Sequence, residues 1–200
     1  MTAPSNHQEV TVYRIAPVDP SKTETPAAPL FATIQQTLGS VPNLFRTLGH
    51  APAALEGYLQ LHGVLAKGRF SASLRERIAL TVAEANQCQY CLAAHSFLGA
   101  RVGLTDADLQ DARQARAADP HVDAVLKLTR CLVVRRGELD DASLAAARAA
   151  GVSDADIVET VAHVAVNTFS NYINHVARTP IDFPEAAPLA DATEACLAAR

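Results

Sequence analysis

The chain has 200 residues, which is the size of a single domain. Hydrophobic residues make up 49% of the chain and charged residues 19%, so a large apolar core can form and disorder is excluded as the main state. The net charge is −4, and no basic run could follow a phosphate backbone, so nucleic acid is excluded as a partner.

Two stretches of the sequence indicate where in the cell the protein is located. The uncharged segment 160–177 approaches the length of a membrane span, but it carries three asparagines and two histidines, which hydrocarbon would penalise. The N-terminal residues have neither the basic start nor the apolar core of a signal peptide. The sequence therefore predicts a cytoplasmic protein that does not associate with a membrane.

Prolines and helical periodicity divide the chain. Residues 1–29 contain five prolines, which predict an extended N-terminal arm. From Leu30 onward apolar residues recur at helical spacing, so we expect an all-α domain over 30–184, followed by a C-terminal tail over 185–200. The predicted helices cover 30–38, a short segment after Pro42, 52–67, 73–86, 88–102, 106–118, 121–136, 141–150 and 154–178.

Two helix-start signals are specific. The sequence Ser73-Leu-Arg-Glu76 has the form of a capping box, in which a serine and a glutamate three residues later satisfy the first N–H groups of a helix. The string GLTDADL at 103–109 recurs as GVSDADI at 151–157. This repetition predicts the same helix stop and helix start at both places.

The multi-helix bundle shows a hint of internal duplication at an offset of 80 residues. Two interpretations stay open: a true duplication, or chance similarity between alanine-rich helices. The positions that correspond are Ser73, Glu76, Cys88, Cys91 and His95 with Ser153, Asp156, Thr168, Asn171 and His175.

The segment EANQCQYCLAAH, residues 84–95, is the most informative part of the sequence. If a helix begins at Cys88, then Cys91 and His95 lie on the same face of it. The helix N-terminus stabilises a thiolate, and a nearby imidazole can take the thiol proton. The second thiol can condense with a sulfenic acid to form a disulfide. The spacing therefore supplies a nucleophile, a resolving thiol and a base.

Two carboxylates precede the cysteine pair. Glu76 lies twelve residues before Cys88, and an antiparallel pairing of the two helices is not expected by itself to bring Glu76 to His95. Glu76 can also serve as the capping-box partner of Ser73. Glu84 is closer to the pair in sequence, but its place is expected on the helix surface.

The arrangement of Glu76, eleven residues, Cys88-x-x-Cys91 and then x-x-x-His95 resembles the signature of the alkylhydroperoxidase D (AhpD) family. This family lies within the carboxymuconolactone decarboxylase-like superfamily. The segment 167–177, NTFSNYINHVA, also looks like the single-domain members. The resemblance covers roughly 41–184 and leaves out the N-terminal arm and the C-terminal tail.

The resemblance implies an alkylhydroperoxidase, a thiol-dependent peroxidase that reduces alkyl hydroperoxides or hydrogen peroxide. It assigns attack on the peroxide to Cys91, resolution to Cys88, and the proton relay to His95 and Glu76. A redox-active disulfide then joins Cys88 and Cys91, no metal, haem or flavin is needed, and an external dithiol or thioredoxin-like reductant restores the pair. The implied assembly is a homo-oligomer, a trimer or a multiple of one.

The chain departs from the family pattern at one position of the motif. Characterised AhpD proteins have a histidine between the two cysteines, whereas this chain has Tyr90. Because of this substitution, the proton relay, the rate and the natural reductant can differ from those of the family. The chemistry of the two thiols stays possible.

Other interpretations remain for these residues. Cys88 and Cys91 could be an inert buried pair or part of a zinc site, although Cys88, Cys91 and His95 supply only three of four ligands. The polar stripe on the last helix could form a network at a helix or subunit interface, or line a pocket beside the thiols. Its members are His163, Asn167, Asn171 and His175.

Two other classes of function also stay open. One is a cofactor-independent lyase or isomerase of the carboxymuconolactone decarboxylase type, which would turn over without either thiol. The other is a non-enzymatic redox-sensing or disulfide-exchange module, which would form the disulfide stoichiometrically without turning over peroxide.

Overall fold

A computed structural model describes residues 13–22 and 25–189, and within these ranges the chain forms nine helices and no strand. The predicted all-α fold is confirmed. Parts of the N-terminal arm and of the C-terminal tail, residues 1–12, 23–24 and 190–200, lie outside the described residues. The helices are α1 Ala28–Leu38, α2 Asn43–Leu48, α3 Pro52–Leu65, α4 Ala72–Ala85, α5 Gln89–Arg101, α6 Asp106–Arg113, α7 Pro120–Val134, α8 Asp141–Ala149 and α9 Asp154–Ala177.

Helix α4 is the centre of the bundle. It packs against α5, α6, α7 and α9, and every residue from Ile78 to Ala83 is buried. A helix that is buried on all sides can carry no exposed polar face along that stretch. Polar side chains of α4 therefore concentrate near its ends, and Glu76 lies at the end where α5 and α3 approach.

The start of α4 differs from the predicted capping box. The helix begins at Ala72, and Ser71 is the capping residue, with its hydroxyl accepting a hydrogen bond from the Leu74 N–H at 3.2 Å. Ser73 instead contacts the Ser71 hydroxyl at 3.0 Å. Either serine could accept a hydrogen bond from an N–H group of the first turn, and for this reason the sequence pattern predicted the wrong capping residue. Glu76 is therefore free of a capping role.

The repeated helix-stop and helix-start device is confirmed at both places. Gly103 and Gly151 have φ of +91° and +87°, the left-handed conformation that glycine adopts without steric cost. Thr105 and Ser153 then open α6 and α9 with complete capping boxes. Helix α6 is shorter than predicted, since it ends at Arg113 and Ala115 takes a left-handed φ of +57°.

The proposed duplication at an offset of 80 residues has no counterpart in the secondary structure. The chain turns between α4 and α5 at residues 86–88, but the corresponding residues 166–168 lie in the middle of the unbroken helix α9. The matching polar positions follow from helical spacing in similar sequences. The hairpin that carries the cysteine pair therefore occurs once among the described residues.

The described part of the N-terminal arm packs against the end of α9. The N–H groups of Arg14 and Ile15 donate to the Ala177 carbonyl at 2.7 and 3.2 Å, and the Val18 N–H donates to the Arg46 carbonyl in α2. These bonds satisfy a carbonyl that the helix end would otherwise leave open. No helix in the described ranges is long and apolar enough to cross a membrane.

Candidate active site

The turn between α4 and α5 determines the geometry of the site. Gln87 adopts φ of +56°, and the Cys88 N–H donates to the Ala83 carbonyl at 2.9 Å, so the chain reverses within three residues. The resulting hairpin places Glu76 Oε2 at 2.8 Å from His95 Nδ1. The expectation that antiparallel pairing would not bring these residues together is therefore wrong. The tight turn keeps the helices in contact over their whole length.

The His95–Glu76 pair borders a small cavity. Its side chains are 13% and 18% exposed, so water screens the charge interaction only in part. The cavity has a volume of about 70 Å³ and is also lined by His62, His163 and Asn167. A carboxylate bonded to Nδ1 fixes the imidazole orientation and leaves Nε2 available for proton transfer.

The two thiols lie in contact at the start of α5. Their sulfur atoms are 2.8 Å apart, and each residue is 2% exposed. The hydrogen bond from Cys91 lowers the pKa of Cys88 to about 7, against the effect of burial. The same bond, together with burial, raises the pKa of Cys91 well above its ordinary value. The sulfur contact therefore favours ionisation of Cys88 and disfavours that of Cys91.

Two amides of α9 face the Cys91 thiol. Asn174 donates its Nδ2–H to Cys91 Sγ at 3.2 Å. The Asn171 Oδ1 accepts a hydrogen bond from the Asn86 side-chain amide at 2.9 Å. The Asn171 Nδ2 is thus left for the thiol, and this amide lowers the pKa of Cys91 as Asn174 does. Hydrogen bonds to a sulfur stabilise its charged form. Sequence reasoning missed Asn174, although its i+3 spacing from Asn171 was a usable signal.

The predicted polar stripe of α9 splits between three places. His163 and Asn167 line the cavity beside Glu76, whereas Asn171 is fully buried behind the thiols. His175 is exposed, and its Nε2 bonds to the Asn86 carbonyl at 2.8 Å. Each step of four residues turns about 40° beyond one full helical turn, so the stripe rotates by roughly 120° over its length.

Tyr90, which stands between the cysteines, ties α5 to α2. Its hydroxyl accepts a hydrogen bond from the Leu44 N–H at 3.1 Å, and its ring meets Phe183 edge-on at 5.8 Å. Burial raises the pKa of Tyr90 far above its ordinary value, so the hydroxyl stays protonated. These contacts indicate that Tyr90 packs α5 against its neighbours.

Helix α3 contributes two residues that the sequence did not single out. Burial raises the pKa of Tyr58, and the neighbouring Cys91 and Glu76 raise it further. His62 lines the cavity, and partial desolvation and the nearby His95 lower its pKa. Tyr58, His62 and Leu65 recur at i, i+4 and i+7, which is the one signal that could have placed them on a common face.

A metal centre is not formed by these groups. Within 13–22 and 25–189, no group of three or more histidine, cysteine, aspartate or glutamate side chains is arranged to hold a metal ion. Glu84, the other candidate carboxylate, instead pairs with the buried Arg113 at 2.7 Å.

Acid should destabilise the fold through His163. Burial lowers the pKa of His163 to about 4, while an unfolded histidine titrates near about 6.5. Between these values the unfolded state binds more protons, so the free energy of unfolding falls as the pH falls from 6.5 to 4, by at most about 1.4 kcal/mol per pH unit. We expect a shallower decline in His163→Gln, measured by urea unfolding at several pH values. Parallel curves for the two proteins would contradict this assignment.

Comparison with solved structures defines the class of fold. The AhpD core of an uncharacterized peroxidase-related protein from Ralstonia eutropha JMP134 superposes with a TM-score of 0.75 at 23% identity, over 86% of this chain and 93% of that chain. A peroxidase-related protein from Silicibacter sp. TM1040 gives 0.68 at 23% identity, over 90% and 94%. A cysteine-to-alanine variant of the debrominase Bmp8, in complex with 2,3,4-tribromopyrrole, gives 0.71 at 20% identity, over 84% and 91%. The chain therefore has the AhpD-like all-α fold.

Part of the sequence matches a family model. Residues 52–134, which run from α3 to the end of α7, match the model of the carboxymuconolactone decarboxylase family. Together with the fold, this match confirms the resemblance to AhpD-like members of the carboxymuconolactone decarboxylase-like superfamily. No curated protein matches the sequence.

Proposed function

We propose that the protein is a thiol-dependent peroxidase that reduces hydrogen peroxide or an alkyl hydroperoxide through Cys88 and Cys91. The observation that carries the proposal is the contact of the two thiols at 2.8 Å, at the start of the same helix that holds His95 against Glu76. A dithiol whose first proton leaves near neutral pH supplies a thiolate and a second thiol at the same place. The histidine and the carboxylate supply a proton relay one helical turn beyond Cys91.

The first step is attack by the Cys91 thiolate on the outer oxygen of the peroxide. The charge of the pair resides first on Cys88, and proton transfer across the sulfur contact moves it to Cys91, where Asn174 donates a hydrogen bond. The O–O bond breaks, the sulfur becomes a sulfenic acid, and the leaving alkoxide or hydroxide takes a proton from His95. Glu76 holds the imidazole during this transfer.

The second step forms the disulfide. The Cys88 sulfur attacks the Cys91 sulfenic acid, the S–O bond breaks, and the hydroxide leaves as water after taking the thiol proton. Two thiol groups of an external reductant then reduce the Cys88–Cys91 disulfide and are themselves oxidised to a disulfide. The cycle consumes one peroxide and two thiol groups, and it requires a reducing compartment, for which we propose the cytoplasm.

Stoichiometry tests the proposal directly. We expect one equivalent of hydrogen peroxide or cumene hydroperoxide to oxidise Cys88 and Cys91 of the reduced protein to one disulfide, and dithiothreitol to sustain turnover. Peroxide is measured by ferrous oxidation and the disulfide by mass spectrometry of the trapped protein. Peroxide consumption at an unchanged rate after alkylation of both thiols would refute the assignment.

The same assay separates the alternatives. Turnover of a small carbonyl compound by the alkylated protein would indicate a lyase or isomerase. Stoichiometric disulfide formation without turnover under any reductant would indicate a redox-sensing or disulfide-exchange module. The debrominase of similar fold was solved with 2,3,4-tribromopyrrole. Consumption of this compound would indicate that the thiols attack a halogen atom instead of a peroxide oxygen.

We also propose that the chain assembles as a homo-oligomer, a trimer or a multiple of one, through the outer face of α9. Five apolar side chains on this helix are 39% to 70% exposed, which is unusual for a free surface. They are Val158, Val161, Phe169, Tyr172 and Val176. We expect light scattering to give a mass of at least three chains. The substitution Val158→Glu should lower this mass. A monomer at micromolar concentration would contradict the proposal.

A further inference from the structure

A pocket separate from the cavity of the relay histidine reaches the cysteine pair. It has a volume of about 280 Å³ and lies between the N-terminus of α5 and the C-terminus of α9. Cys88 lines it, together with Asn174, His175, Arg178 and Thr179. Neither His95 nor Glu76 takes part in its lining, whereas both line the smaller cavity. Of the two cavities, the larger one is therefore the one that reaches the dithiol, at Cys88.

Two buried polar atoms of residues that line this pocket have no hydrogen-bond partner among the residues that the structure describes. They are the Asn174 Oδ1 and the Thr179 hydroxyl, whose residues are only 5% and 7% exposed. Leaving a buried polar group unpaired costs about 1–3 kcal/mol, so such groups mark a place where a ligand or water binds. One atom accepts and the other can donate, so the pocket can bind a polar molecule beside the Cys88 sulfur.

The charge of the pocket favours an anion. Arg178 and His175 line it, and no carboxylate among the described residues pairs with Arg178. The first N–H groups of α5 also face this end of the hairpin, and a helix N-terminus attracts negative charge. Asp182 is the acidic residue near this lining: its carboxylate accepts a hydrogen bond from the Asn43 N–H at 2.7 Å and lies close to Tyr90, whereas the Arg178 side chain lines the pocket itself.

We propose that this pocket binds the reductant, a small thiol that carries a carboxylate, with the carboxylate at Arg178 and the sulfur at Cys88. The inference rests on the proposed function, since it names the class of molecule that restores the dithiol. The pocket lies at the lower limit of the size of small-molecule sites, which suits such a thiol. Arg178 binds the reductant, and Asn174 stabilises the sulfur that leaves.

The reduction is an exchange of disulfides. The thiolate of the reductant, having lost its proton to solvent, attacks Cys88 Sγ, the Cys88–Cys91 bond breaks, and the electron pair goes to Cys91 Sγ, to which Asn174 donates. A second thiolate then attacks the reductant sulfur of the mixed disulfide and releases Cys88. Two thiols are oxidised to one disulfide, and the two protein sulfurs are reduced.

The test measures reduction of the preformed disulfide without peroxide. The protein is oxidised with diamide, and three thiols of different charge are compared: 3-mercaptopropionate, 2-mercaptoethanol and cysteamine. We expect Arg178→Gln to slow reduction by 3-mercaptopropionate roughly three- to tenfold and to leave 2-mercaptoethanol within about twofold. Arg178→Glu should slow 3-mercaptopropionate further and accelerate cysteamine.

Arg136→Gln is the matched control. Arg136 is also an exposed arginine in a left-handed conformation just after a helix, with φ of +55° against +50° for Arg178. We expect this variant to reduce with all three thiols at the wild-type rates. Equal slowing of all three thiols by Arg178→Gln would overturn the proposal, and so would a mixed disulfide on Cys91.

The two proposals can fail separately. A wild-type protein that consumes no peroxide with any thiol would refute the peroxidase function, while the charge dependence of disulfide reduction would still be measured. Peroxide turnover supported by thioredoxin but by no small thiol would refute the reductant pocket and leave the peroxidase intact.

Discussion

Replacing Cys91 by serine should lower peroxide turnover on the order of a thousandfold or more, because a serine hydroxyl at this site is not ionised and cannot attack the peroxide oxygen. The variant keeps a side chain of similar size in a position that is 2% exposed. The fold is therefore expected to remain, which circular dichroism and thermal unfolding check. Initial rates with hydrogen peroxide and dithiothreitol give the activity.

Cys88→Ser should behave differently from Cys91→Ser. Without the second thiol, the Cys91 sulfenic acid has no partner, so the first equivalent of peroxide forms the sulfenic acid and a second equivalent oxidises it to sulfinic acid. Mass spectrometry of the dimedone-trapped protein reports which cysteine carries the oxygen. Because Cys88 has the lower pKa, this experiment is decisive: a sulfenic acid on Cys88 in Cys91→Ser, with normal first-turnover rate, would reverse the two roles.

Replacing Glu76 by glutamine should lower turnover roughly a hundredfold, since the amide cannot hold a protonated His95. The carboxylate is 2.8 Å from the imidazole, so its loss changes both the orientation and the protonation of the ring. The pH dependence of turnover in Glu76→Gln should differ in shape from that of the wild type. A mere loss of packing would lower the rate equally at every pH.

Glu84→Gln is the matched control for Glu76→Gln. Both carboxylates lie on α4, but Glu84 pairs with the buried Arg113 and does not contact His95. We expect Glu84→Gln to lower the melting temperature, because Arg113 loses its partner, and to leave turnover within about twofold. An equal loss of activity in both variants would show that the carboxylates act through stability alone.

The helices and most of their ends were predictable because local chemistry determines them. Gly103 and Gly151 stop helices, and Thr105 and Ser153 start them, through contacts within a few residues. The same logic failed at the start of α4, where Ser71 and Ser73 compete for one role. Local sequence signals place a helix end only to within one or two residues, and these two serines are two residues apart.

The candidate site was predictable only in part. Cys88, Cys91 and His95 share one helix face, and their spacing alone places them together. The approach of Glu76 depends on how tightly the chain turns, and the contribution of Asn174 depends on which side of α9 meets α5. Such facts belong to the packing of helices that are distant in sequence, so no motif reports them.

The left-handed residue Gln87 has a consequence for how the length of the chain can vary. The turn of three residues that contains it fixes which residue of α5 lies opposite Glu76. One inserted residue there would rotate α5 by about 100° relative to α4 and direct the imidazole away from the carboxylate. The pairing of Glu76 with His95 therefore fixes the number of residues between them at eighteen.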